Sequence, residues 1–317
     1  MNRRIAAAFA ALVVGASGIG AQTPEKIRLA IGYIPHVQFT PLYVGQDKGF
    51  YKEEGIELEI SYGFGIDIFS LLQAGKIDLG LSDSDQLIIA GSKGLGLKAV
   101  YQYYQRYPVS VVVKAGRVSE PGDLAGKRIG TPELYGTSYI GLELFLKKFG
   151  LTGKAVVEKI GYTQETSLLG DKVDAVVCFS NNEPVLLALR GVEIRQWDVR
   201  DFSDMVGASF ISSSATISAR RDALSRFARA TGKAMAYVQS NPEDAFRIAL
   251  SKIGTIKKED EPFFRKVLDA TSAFFPHARG FGYLDAAKYD ASIAELVSLG
   301  MITAAYPSAR ILDSLVK

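Results

Sequence analysis

Cysteine is almost missing from this 317-residue chain. Cys178 stands alone, so no disulfide can form within the protein and stability has to come from buried apolar surface. It lies in the apolar run Val173–Phe179, which makes it a buried strand residue ahead of a reactive thiol. Histidine is nearly as scarce, with two residues, His36 and His277. One cysteine and two distant histidines cannot make an ordinary zinc site. No metal and no cofactor is expected. The sequence also has no Gly-x-Ser-x-Gly nucleophile turn. Ala125-Gly126-Lys127-Arg128 lacks the preceding glycine and the Ser/Thr of a phosphate loop, and Gly63-Phe64-Gly65 and Gly94-Leu95-Gly96 lack the third glycine of a dinucleotide fingerprint. No catalytic residue is nominated, and an enzyme is not expected. Basic residues never run beyond pairs such as Arg3-Arg4 and Lys257-Lys258, and the net charge is only +3, which argues against nucleic acid as a partner.

Long apolar runs are missing too. Beyond residue 21 nothing approaches the ~20 apolar residues that span a bilayer. The first 21 residues read as an export signal: Asn2-Arg3-Arg4 gives a basic start, Ile5–Val14 an apolar run, and Gly15–Ala21 a small-residue region with cleavage possible after Gly18 or Ala21. That segment holds no cysteine, so no lipid is attached through one. A periplasmic, non-lipidated protein is expected.

What is present is ordinary globular material, 48% hydrophobic and 22% charged, on a length that suits about two domains. Short Val/Ile-rich runs alternate with helical stretches, the pattern of an α/β fold. Strands are expected at Ile27–Ile34, Ile56–Tyr62, Leu79–Ser82, Lys98–Tyr104, Val109–Ala115, Val173–Phe179 and Phe210–Ser218, among others. The helices include Thr137–Phe149, Arg221–Gln239 and Ala309–Leu315. No Pro/Ser-rich linker separates two halves, so the lobes are expected to be joined by strands. After Ser218 the chain turns nearly all helical.

In open α/β sheets, ligands sit beyond the carboxyl ends of strands. Six loops of that kind carry gripping groups. Gly32–Pro41 is stiffened by two prolines and offers Tyr33 and Gln38. Gly63–Asp67 ends on Asp67, a helix cap or a ligand contact. Ser82–Gln86 stacks hydroxyls and carboxylates at a helix start; one of Ser84 and Asp85 is expected to cap and the others to be free for a ligand. Tyr101–Pro108 has four tyrosines in seven residues, and Tyr103 and Tyr104 form either a platform for a flat heterocycle or interlobe packing. Thr131–Ser138 offers Tyr135, Gly136 and Thr137, with Thr137 or Ser138 capping the next helix. Phe179–Pro184 offers the carboxamides of Asn181 and Asn182, suited to a uracil-like or flavin-like edge, and Glu183, which also begins a helix.

These loops, with Lys48-Gly49-Phe50-Tyr51-Lys52-Glu53-Glu54-Gly55-Ile56, Leu72-Gln73-Ala74-Gly75-Lys76-Ile77-Asp78-Leu79-Gly80, Asp123–Gly130 and Asn181-Asn182-Glu183-Pro184, resemble the thiamine-pyrimidine-synthase-like branch of periplasmic binding proteins from about Ile27 to Gly191. The resemblance implies a type II periplasmic-binding-protein fold: two lobes joined by two crossover strands, near Tyr107–Val111 and Ala208–Ser212, with a ligand cleft between them. It implies residues 24–109 plus 211–317 as lobe one, with the helical tail packed back on it, and 110–210 as lobe two. It implies a monomer that delivers a small molecule to an ABC transporter permease and its ATPase. The opening loop and Asn-Asn-Glu-Pro look most like riboflavin importers. The thiamine pyrimidine precursor is the alternative, and a sulfonate fits less well because Arg106 is the only arginine in these loops. Fungal relatives that synthesise the pyrimidine look to need a cysteine-rich motif, which Cys178 alone cannot supply.

Overall fold

A computed structural model describes residues 24–316; the expected export signal lies outside the described residues. The chain builds two five-stranded sheets. The first contains β1 (Glu25–Ile31), β2 (Ile56–Tyr62), β3 (Leu79–Asp83), β4 (Leu97–Gln102) and, from much later in the chain, β10 (Ala208–Ser213), in the order β2-β1-β3-β10-β4. The second contains β5 (Val109–Lys114), β6 (Arg128–Thr131), β7 (Val156–Lys159), β8 (Ala175–Phe179) and β9 (Ile194–Asp198), in the order β7-β6-β8-β5-β9. Each sheet is parallel over three strands and carries one antiparallel strand inserted beside them, β10 or β5. Four valines among Val109–Val113, with Ser110 satisfied by Asp198, suit β5 to its place between β8 and β9, buried on both sides.

Helices α1 (Thr40–Asp47), α2 (Phe50–Glu53), α3 (Ile68–Gln73) and α4 (Ser84–Ser92) belong to the first sheet, and α5 (Gly136–Lys148), α6 (Gln164–Leu169) and α7 (Glu183–Leu189) to the second. The tail adds α8 (Ser214–Ser240), α9 (Pro242–Ile253), α10 (Glu261–Ser272) and α11 (Ala286–Ser298). It returns to the first lobe: Phe227 of α8 stacks on Tyr51 at 5.5 Å and meets Phe210 edge-on at 5.1 Å. Among the described residues no helix is long and apolar enough to cross a membrane.

Several expectations need correction. The run expected as one strand, Phe210–Ser218, ends as strand at Ser213, whose hydroxyl accepts from the Thr216 N–H and starts α8. Ala309–Leu315 is not an α-helix. After a short 3-10 turn it runs beside β4, where Asp313 and Leu315 donate N–H groups to Ala99 and Val100 and so cover an open sheet edge. The crossovers are irregular segments, 103–108 and 199–207, rather than strands near Tyr107–Val111 and Ala208–Ser212. Val109 already pairs in the second sheet and Ala208 in the first, so the lobe boundaries expected at 109/110 and 210/211 move to 108/109 and 207/208. Apolar runs reveal strands but not the sheet they join.

The two crossings touch. A Cβ built on Gly207 would lie 2.4 Å from the Tyr104 carbonyl oxygen and 2.7 Å from that of Arg106, so only glycine fits there. The Gln102 side-chain amide sits within 3.0 Å of the Tyr104, Gly207 and Ala208 carbonyls, and Tyr289 donates to its Oε1.

On the far side of the first sheet, α8 is kinked at Arg220, whose guanidinium reaches both Glu25 and the buried Asp78. Arg28 donates to Asp78 as well. Burial works to raise the Asp78 pKa, and the hydrogen bonds from Arg28 and Arg220 overcome it and hold the carboxyl below its usual range. The depressed pKa means this contribution is present above about pH 4 and is lost as pH falls further. Asp78→Ala leaves Arg220 without its buried partner. We expect a loss of about 3 kcal/mol in urea unfolding at pH 7, with less further loss than wild type on acidification below pH 4.

Candidate functional site

A cavity of about 550 Å³ opens between the lobes. Its walls are the loops at the carboxyl ends of β1 and β3 on one side and the segments leading into α5, α6 and α7 on the other. Of the residues nominated from sequence, Tyr33, Gln38, Asp67, Tyr103, Tyr104, Tyr135, Gly136, Thr137, Asn181, Asn182 and Glu183 line it; Ser84 and Asp85 do not.

Ser84 and Asp85 are fully buried behind the wall. Ser84 lies within hydrogen-bond distance of the Ser209 and Tyr289 hydroxyls, while Asp85 accepts from Tyr107. Neither caps α4. Asp83 holds the N-cap position without a side-chain capping bond, and it faces the cavity together with Gln86. Which of four successive polar residues faces the cleft depends on where the helix starts, and the loop sequence carries no mark of that.

The tyrosine pair serves mainly as packing. Tyr103 is fully buried against Phe210 and Phe275, and Tyr104 stacks on Phe275. Their hydroxyls donate to the backbone carbonyl and the side chain of Gln38, at 2.8 and 3.1 Å, and so hold the Gly32–Pro41 loop as the cavity floor. The exposed aromatic surface lies at the mouth. Tyr135 and Tyr162 of the second lobe are each 72% exposed, and the Phe64 ring lies 5.0 Å from Tyr33 and 6.0 Å from Tyr162 across the cleft. The run Val156–Tyr162 reads from sequence as one strand, which hides Tyr162; β7 stops at Lys159 and frees Tyr162 into the loop.

The polar groups differ in how far they are committed. Asp67 caps α3 through the Ser70 N–H and hydroxyl, and those bonds lower its pKa. Burial pushes the pKa of His36 down to about 4, so its ring is neutral at pH 7. Burial raises the pKa of Glu183 against the opposing pull of the N–H groups that its carboxylate accepts. Asn182 occupies the N-cap position of α7 without a side-chain cap bond. Asn181 is 2% exposed; its Nδ2 donates to Thr271 of the helical tail at 2.8 Å, and its buried Oδ1 has no protein partner. A buried acceptor without a partner is costly unless a ligand supplies one.

Gly136, with φ of +77°, lets the chain turn into α5 behind Tyr135, which holds the N-cap position. Thr137 does not cap α5. Its hydroxyl lies 2.9 Å from both Asp83 and Asp85 of the first lobe. The wall carries four carboxylates, Asp67, Asp83, Glu133 and Glu183, and no lysine or arginine; Glu133 is paired with Lys159.

A cleft between two α/β lobes, walled by strand-end loops of both, is the fold of the solute-binding proteins of ABC importers, in its type II form. Residues 36–245 match the family described as NMT1/THI5 like, and the chain belongs to that family. The riboflavin-binding protein RibY of Chloroflexus aurantiacus is 29% identical over 291 residues, covering 89% of this chain and 83% of its own. A formylaminopyrimidine-binding protein of Halalkalibacterium halodurans is 26% identical, covering 72% and 70%. Among solved structures, the periplasmic aliphatic sulphonate binding protein SsuA from Escherichia coli superposes with a TM-score of 0.72 at 14% identity, over 90% of this chain and 91% of its own.

The division between floor and mouth has a consequence for stability. Tyr103→Ala empties a packed site and should cost about 3–5 kcal/mol in chemical denaturation. Tyr162→Ala, at an exposed position, should stay within about 0.5 kcal/mol of wild type.

Proposed function

We propose that this protein captures riboflavin outside the cytoplasmic membrane and hands it to an ABC permease. The observation that carries the reading is a cavity with exposed aromatic rings at its mouth and no cationic side chain on its wall. A volume of about 550 Å³ suits a ligand of that size. Tyr135 and Tyr162 supply faces for a flat tricyclic ring. The unpartnered Oδ1 of Asn181 suits an imide N–H, and the carboxylates accept from ribityl hydroxyls. The protein binds without transforming its ligand. Residues 1–21 act as its export signal, and the mature chain works as a periplasmic monomer.

The same wall disfavours anions. A sulfonate or a phosphate ester would enter a site with four carboxylates and no Lys or Arg to pair with it. Arg106 sits on a crossing and is not part of the wall. The thiamine pyrimidine precursor is the second reading, supported by the formylaminopyrimidine-binding relative and by the same Asn181 edge.

The test is a fluorescence titration of riboflavin with mature protein refolded free of ligand. Saturable one-site quenching is expected, with flavin mononucleotide at least about tenfold weaker and Tyr162→Ala weakened by up to about tenfold, the equivalent of one stacked ring. Absence of quenching at micromolar protein would remove riboflavin. Heat released on adding the pyrimidine precursor would then support the second reading.

A further inference from the structure

The contact between Thr137 and two carboxyl groups is more than a stray hydrogen bond, because its hydrogens do not add up. Thr137 Oγ1 lies 2.9 Å from Asp83 Oδ2 and 2.9 Å from Asp85 Oδ1. A hydroxyl has one hydrogen to give. With both carboxyls ionised, one of those two approaches sets lone pair against lone pair at hydrogen-bond distance. The neighbouring Tyr107 hydroxyl is stretched in the same way, 2.9 Å from Asp85 Oδ2 and 3.0 Å from the Thr137 carbonyl oxygen. One added proton resolves the first conflict: a protonated Asp83 donates to Thr137 Oγ1, and the Thr137 hydrogen goes to Asp85.

The cluster also spans the lobes. Asp83 and Asp85 sit where β3 runs into α4, Thr137 opens α5 of the second lobe, and Tyr107 lies on the first crossing. We propose that the lobes are latched by a shared proton: closing the cleft takes one proton from solvent and holds it between Asp83 and Asp85 through Thr137, so that ligand affinity rises as pH falls. The link to affinity rests on the flavin reading; the latch itself does not.

The surroundings fit this assignment. Asp85 is the better supplied carboxylate, with Tyr107, Gln86 Nε2 at 3.1 Å and Thr137 as donors, so Asp83 is the one that holds the proton. Burial, and then the charge of Asp85, push the pKa of Asp83 up to about 7. Tyr104 and Tyr107 of the crossing face the pair as neutral phenols, since burial raises both of their pKa values. Elsewhere on the wall the titratable groups are Asp67, Glu183, Glu133 with its partner Lys159, the neutral His36, and the phenols of Tyr33, Tyr135 and Tyr162; none of the carboxyl groups can stabilise a second negative charge. When the lobes part, Asp83 returns to water and to an ordinary aspartate pKa near ~3.9. A pKa raised on closure makes the contribution complete below about pH 4 and lost as pH rises to about 7. Between those limits affinity changes by up to about tenfold per pH unit.

Two measurements test this. Carbon-13 NMR of aspartate carboxyls in the riboflavin-saturated protein should show one group titrating near pH 7, and its signal should vanish in Asp83→Asn. Riboflavin affinity of the wild type should fall between pH 5 and pH 7 and level off above. Asp83→Asn, which keeps an N–H donor for Thr137 but carries no charge, should lose that slope. If Asp83→Asn does not fold, calorimetry of the wild type at pH 6 in phosphate and in imidazole should show proton uptake on riboflavin binding. All aspartates titrating below pH 5 in the saturated protein, a slope retained in Asp83→Asn, or no proton uptake would overturn the proposal. If riboflavin does not bind at all, the same titration on protein saturated with the pyrimidine precursor decides the latch, and only the flavin reading fails.

Discussion

The cleft depends on the place where the chain passes between its lobes. It does so twice, at 103–108 and 199–207, and the two passages lie against each other. Gly207 brings its backbone close to the carbonyls of Tyr104 and Arg106, where any side chain would collide. The Gln102 amide gathers the carbonyls of both passages, and Tyr289 of the tail holds Gln102 in turn. A paired joint of this kind restricts the motion of two lobes largely to opening and closing about one line. The strands that flank it, β4 beside β10 and β5 beside β9, fix where each lobe presents its loops.

That arrangement sets two kinds of surface facing each other. The floor is made of tyrosines committed to the core, with their hydroxyls tied to Gln38. The mouth is made of rings that the protein leaves exposed. Between them lies a wall rich in carboxylates with no cation. Burying such charges is expensive, and proteins that retain them hold them by hydrogen bonds or by protonation. Asp67 stays exposed and keeps its charge at its helix cap. Asp83 and Asp85 share Thr137 from the opposite lobe. Asn181, joined to Thr271, adds a buried bond between the second lobe and the tail helices. The cavity wall and the contact between the lobes thus share side chains, Asp83 and Thr137.

Much of the fold was legible because its signals are local. The Val/Ile runs of β1, β5 and β8, the Pro and Gly that open and close α9, and the change to helix after β10 are all written in neighbouring residues. The misjudged segments are ones whose state depends on a distant partner. Leu312 and its neighbours cover the edge of β4 because that edge is open. Ser214–Ala219 continues into α8 because Ser213 finds Thr216 before another strand finds it.

The site divides along the same physical line. By itself the sequence determined the α/β class, the six strand-end loops, the poverty in cysteine and histidine, and the aromatic and carboxamide character of the loops. Each of these follows from residue type and short-range spacing. Only the tertiary structure decided that Asp83 rather than Ser84 or Asp85 faces the cavity, that Tyr103 and Tyr104 belong to the floor while Tyr162 stands at the mouth, and that Thr137 reaches across to two carboxyl groups. A side chain's direction depends on where its helix begins and on what the other lobe brings against it, and neither is encoded within the loop that carries the residue.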